Sequence, residues 1–108
     1  MARYHLTARA MEDLRAIARY TKQTWSSAQA RHYRQELELG LEKLSLNPDI
    51  GRPREEIGLN VRSFRVGAHI AFYVPRKAGI VVIRLLHPSM DVELAFSPTA
   101  TKFSVHEP

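Results

Sequence analysis

The apolar residues of this chain change their spacing once, and that change limits the possible folds more than any other feature. Up to Leu44 they recur at three and four, and from Val61 onward at two. The first period is that of helices with one buried stripe, the second that of strands. Helices made early must therefore pack on strands made late, which predicts an α+β domain. Arg3-Tyr4-His5-Leu6 reads as a short first strand, and Thr7 stands where a helix N-cap belongs, with Glu12 and Asp13 near the positive helix end. A helix then starts at Ala8. Its stripe is Ala10, Met11, Leu14, Ile17, Ala18 and Thr21, and its opposite face holds Arg9, Arg15, Arg19 and Lys22. Ser26 with Gln29 fits a capping box and opens a second helix, whose stripe is Ala30, Tyr33, Leu37, Leu41 and Leu44 and which Asn47-Pro48 stops. The first half is thus a helical hairpin.

Residues 47–60 hold two prolines and two glycines and read as a long loop. Beyond it, residues 61–66, 69–74 and 80–86 read as three strands joined by tight turns, and so as antiparallel neighbours. Phe64, Val66, Ile70, Phe72, Val74, Val81, Ile83 and Leu85 form one apolar face, the expected seat of the hairpin. The other face then carries Ser63, Arg65, His69, Ala71, Tyr73, Val82 and Arg84. A surface with two guanidinium groups, an imidazole and a phenol is suited to phosphates and stacked bases. Residues 90–96 make a last short helix or strand, and residues 97–108 a polar tail, so the domain is expected over 1–96.

Charge supports a binding face. The 108 residues carry a net charge of +5, and no acidic residue occurs between Ile57 and Met90, where Arg62, Arg65, Arg76, Lys77 and Arg84 lie with His69 and His87. That favours an acidic partner. The absence of cysteine excludes a disulfide framework and thiolate metal sites and fits the cytoplasm. No segment reaches the ~20 apolar residues of a membrane span, and the first residues lack the apolar run of a signal peptide. There is no Gly-rich phosphate loop, no nucleophile elbow and no histidine pair at metal-ligand spacing, so neither cofactor nor metal is expected.

Three stretches in the order of these elements carry a resemblance: 44–54 (Leu-Ser-Leu-Asn-Pro-Asp-Ile-Gly-Arg-Pro-Arg), 61–73 (Val-Arg-Ser-Phe-Arg-Val-Gly-Ala-His-Ile-Ala-Phe-Tyr) and 83–93 (Ile-Arg-Leu-Leu-His-Pro-Ser-Met-Asp-Val-Glu). With them the chain resembles the ParE toxins of type II toxin–antitoxin systems, within the RelE/ParE superfamily. The resemblance implies a β-α-α-β-β-β fold, a hairpin on a mainly antiparallel sheet, and a cognate antitoxin whose acidic segment wraps the toxin in a hetero-oligomeric complex. It implies DNA gyrase as target for the ParE branch and ribosome-bound messenger RNA for the RelE branch. Binding to either would use Arg62, Arg65, His69, Tyr73, Arg84 and His87. Cleavage of RNA would need Arg65 and Arg84 to hold the phosphate and His69, Tyr73 or His87 to move protons. The sheet region has one lysine, Lys77 at a turn, and no tyrosine follows Tyr73, which departs from the nuclease pattern. The expectation is a gyrase-binding toxin without catalysis.

Overall fold

A computed structural model describes residues 3–96; the predicted polar tail lies outside them. The chain opens with strand β1 (Arg3–Leu6) and turns at Thr7 into helix α1 (Ala8–Thr24). The Thr7 hydroxyl accepts the Ala10 N–H at 3.1 Å and donates to the Ile83 carbonyl at 3.1 Å, so one side chain caps the helix and ties it to the sheet. Trp25 closes α1, and Ser26 accepts the Gln29 N–H at 3.0 Å to open helix α2 (Ser27–Leu46). Both predicted caps form.

The sheet follows as β2 (Arg52–Pro53), β3 (Arg62–Val66), β4 (His69–Arg76) and β5 (Gly79–Leu86), and helix α3 (Val92–Ala95) ends the described chain. Strand order is β1-β5-β4-β3-β2, with β1 parallel to β5 and every other pair antiparallel. The predicted β-α-α-β-β-β order therefore holds with one addition, a two-residue strand within the long loop, and the short helix or strand expected over residues 90–96 is helix α3. Gly67 supplies the positive φ, 60°, needed at the first residue of the two-residue turn between β3 and β4.

Ala10 and Leu14 of α1 and Leu37, Leu41 and Leu44 of α2 are buried, as their spacing requires. Each buried leucine contributes about 2 kcal/mol. On the sheet they meet Val66, Ala71, Tyr73, Ile80, Val82 and Leu85. This corrects the predicted core face, of which only Val66 and Leu85 belong to that cluster. Directly paired residues share a face, and the pairs Phe64↔Ala71, Ala71↔Leu85 and Tyr73↔Val82 put Ala71 and Tyr73 under the helices. Ile70, Phe72 and Val74 lie on the other side. A bulge at Phe72/Tyr73 steps the pairing from Arg84 to Val82 and leaves Ile83 without a partner, so the face that β5 presents changes parity along its length.

Candidate functional site

Arg84 is consumed inside the protein. Since β1 pairs with β5 only as far as Val82, the remainder of β5 has no strand on that side among the described residues, and α1 packs against it. Asp13 of α1 accepts Arg84 Nε at 2.8 Å, Arg84 Nη2 at 3.1 Å and the Leu85 backbone N–H at 3.0 Å. A two-pronged pair in which the side chains are only 12% and 15% exposed is strong and geometrically fixed. Arg84 Nη1 also donates to the Ala95 carbonyl at 3.1 Å, and its guanidinium lies 6.0 Å from the Phe96 ring centre. One side chain thus clamps α1, β5 and the end of α3 together.

Tyr73 is likewise withdrawn from the surface. Its ring is fully buried, and its hydroxyl donates to the Pro48 carbonyl at 2.7 Å and accepts the Gly51 N–H at 3.0 Å. Burial raises the phenol pKa against the opposing Gly51 bond, so the group stays protonated and serves to hold the loop. A Cβ on Gly51 would overlap the Tyr73 hydroxyl. Arg62 works on the same loop, donating from Nη1 to the carbonyls of Asp49 at 3.1 Å and Gly51 at 2.6 Å.

His69 and His87 do come together. Their ring centres are 5.6 Å apart, edge to face. His69 Nδ1 lies 2.6 Å from the Tyr33 hydroxyl of α2, which also accepts the Ala68 N–H at 2.8 Å. His87 Nδ1 accepts the Ser89 N–H at 3.2 Å, which places the proton of the neutral ring on Nε2. Burial, then the neighbouring His87 and Arg65, lower the His69 pKa, with Asp13 opposing. The two rings line an open, mainly apolar cleft of about 420 Å³ against α1, with Asp13, Ile17, Tyr20 and Met90. Tyr20 and Met90 are exposed at its rim.

The predicted cationic face is therefore not assembled. Arg65 pairs with Ile70 and, through Phe72, shares the outer face with the base of Arg84, whereas His69 and Tyr73 pair into the helix-facing side. Arg65 itself is exposed and donates only to the Gly67 carbonyl at 3.3 Å among the described residues. The outer face over Phe72 is covered by the Arg54 guanidinium and the Phe96 ring, each 5.2 Å from the Phe72 ring centre.

The family model for the ParE toxin of the type II toxin–antitoxin system parDE matches residues 4–92, from β1 into α3. This chain belongs to that family. Toxin ParE1 of Caulobacter vibrioides is 37% identical over 93 residues, covering 84% of this chain and 94% of the relative. Toxin ParE of Escherichia coli is also 37% identical, covering 85% and 90%, and Toxin ParE1 of Mycobacterium tuberculosis 37%, covering 85% and 95%. A chain from the solved chromosomal ParDE TA system of P. aeruginosa superposes with a TM-score of 0.67 at 22% identity, covering 81% of this chain and 96% of its own length. That match shows a shared fold.

For a ParE-family chain, the accessible part of the predicted set reduces to Arg65 on one side of the sheet and the His69–His87 cleft at its α1 edge. Among the described residues no group of three or more histidines and carboxylates converges to hold a metal, and no helix is long and apolar enough to cross a membrane. Residues that the sequence reading missed are Asp13, Ile17, Tyr20 and Met90. Asp13 carried a signal: it lies three residues after Ala10 and four before Ile17, on the edge of an apolar stripe. An acid there needs a cation from the layer beneath.

Proposed function

We propose that this ParE-family toxin arrests bacterial growth by binding DNA gyrase in the cytoplasm, and that a cognate antitoxin neutralises it in a hetero-oligomeric complex. The observation that carries the non-catalytic reading is the engagement of Arg84. A nuclease needs two cations free to meet the extra negative charge of a pentavalent phosphate, and Arg84 instead gives Nε and Nη2 to Asp13 and Nη1 to Ala95. With the Tyr73 hydroxyl bonded to Pro48 and Gly51, the proposed proton-transfer set of His69, Tyr73 and His87 also loses one member. What remains accessible suits protein binding: a concave apolar cleft with two imidazoles, on a chain of net charge +5. An acidic amphipathic antitoxin segment matches both properties.

The test is a supercoiling assay with gyrase from the same host. Purified toxin is expected to block supercoiling and accumulate cleaved DNA, and added antitoxin to restore activity. Unaltered supercoiling, together with new messenger RNA ends in primer extension after induction, would move the protein to the RNA-cleaving reading.

A further inference from the structure

The β1 edge, which no other described strand covers, has charges of opposite sign on its two sides. Within the described sheet β1 pairs only with β5. Along a parallel ladder, alternate residues turn their backbone groups toward the neighbour and the rest turn them away. Arg3 N–H donates to the Ala78 carbonyl at 3.2 Å and Thr7 N–H to the Val82 carbonyl at 3.0 Å. The odd-numbered residues thus serve β5, and the N–H and C=O of Tyr4 and Leu6 face outward. The side chains of Tyr4 and Leu6 pack against the core on the helix side, so Arg3 and His5 project from the other.

On the helix side a hollow of about 550 Å³ is lined by Tyr4, Gln35, Glu38, Leu39 and Glu42, with Leu39 59% exposed. The acids act on Tyr4, whose pKa is raised by burial and then by Glu38 and Glu42 against Arg34. Arg34 pairs with Glu38 at 3.3 Å, whereas Glu42 makes no ion pair among the described residues. On the opposite side a hollow of about 300 Å³ is lined by Arg3, His5 and Arg76 with the turn into β5, and among the described residues no carboxylate lines it.

We propose that the β1 edge receives an extended segment of another protein whose side chains alternate in charge, basic toward Glu38 and Glu42 and acidic toward Arg3 and Arg76. An added strand satisfies the outward groups of Tyr4 and Leu6, and its period of two delivers successive side chains to the two hollows. Lysine or arginine suits the helix side because the aliphatic stem lies over Tyr4 and Leu39 while the head reaches Glu42. A second copy of this chain is a poor occupant. The two-fold axis that pairs edge strands antiparallel stands perpendicular to the sheet and keeps both helical layers on one side, which brings Glu42 toward Glu42 and Arg3 toward Arg3. Charge on both flanks blocks self-pairing and leaves the backbone open to a complementary strand.

The test uses the full chain and a fluorescent decapeptide of strictly alternating lysine and glutamate, against a decapeptide of the same composition arranged in pairs of like residues. Only the alternating order presents one sign to each side. It is expected to bind and to slow hydrogen exchange at the Tyr4 and Leu6 amides, and N-methylation of every second peptide residue to abolish both effects. Glu42→Lys, an exposed change, should weaken binding roughly fivefold. Equal binding by the paired-order peptide, or exchange protection elsewhere but not at Tyr4 and Leu6, overturns the proposal. So does dimerisation of the chain alone that protects those two amides, which would assign the edge to a second copy. None of these readings depends on gyrase.

Discussion

Asp13 accepts three hydrogen bonds at the edge of an apolar stripe, and its removal leaves a nearly buried guanidinium with one carbonyl partner. Breaking one side of such a pair costs far more than the pair itself contributes. Asp13→Ala is expected to destabilise the fold by about 3 kcal/mol, read as a lower urea midpoint with unchanged slope. The double replacement Asp13→Leu with Arg84→Met should recover most of that loss, because neither charge is then stranded. His69 gives a pH dependence of definite sign. Its folded pKa lies below the ordinary 6.5, so the unfolded chain binds this proton more readily. Stability is full above about pH 6.5 and falls as the pH drops through the depressed folded value. Melting temperature is expected to decline as the pH drops below about 6.5, and His69→Gln to flatten that decline. A variant that keeps the wild-type slope would locate the titration elsewhere.

At the scale of elements, the two helices and their caps were legible because helix period and N-cap chemistry are both local. Thr7 and Ser26 cap as expected, and Leu37, Leu41 and Leu44 are buried together. The faces of β4 were not legible, since both sides of that strand are apolar and buried at its centre: Ala71 and Tyr73 under the helices, Phe72 under Arg54 and Phe96. Alternation fixes a strand's orientation only when one side meets water. The bulge that skips Ile83 is equally invisible, because it is set by pairing with a distant strand. The long loop reads as irregular in sequence, yet Tyr73 and Arg62 pin it from beneath. Tyr73→Phe should therefore cost about 1–2 kcal/mol and release the loop. Faster exchange of the Gly51 amide and earlier proteolysis within residues 48–53 are the measurements, with the helices unaffected.

Over the whole molecule, the acid-free run of residues 57–90 loses much of its outward field when Arg84 turns to Asp13 and Arg62 to the loop carbonyls. Of the cations in the predicted binding set, Arg62, Arg65 and Arg84, Arg65 is left on the outer face with neither an ion pair nor burial among the described residues. That makes it a clean probe of where the target docks. Arg65→Glu replaces an exposed side chain whose hydrogen bond to Gly67 is 3.3 Å long, so stability should change by less than about 0.5 kcal/mol. If the outer face meets gyrase, the reversal puts like charge against an acidic surface. The toxin concentration needed for half inhibition of supercoiling should then rise roughly tenfold, with the effect shrinking as salt screens it. Tyr20→Glu is the matching probe of the opposite side, placing an acid at the rim of the His69–His87 cleft. Full potency in Arg65→Glu combined with lost potency in Tyr20→Glu would put the docking surface at the α1 edge, where the imidazoles and the exposed Met90 lie together.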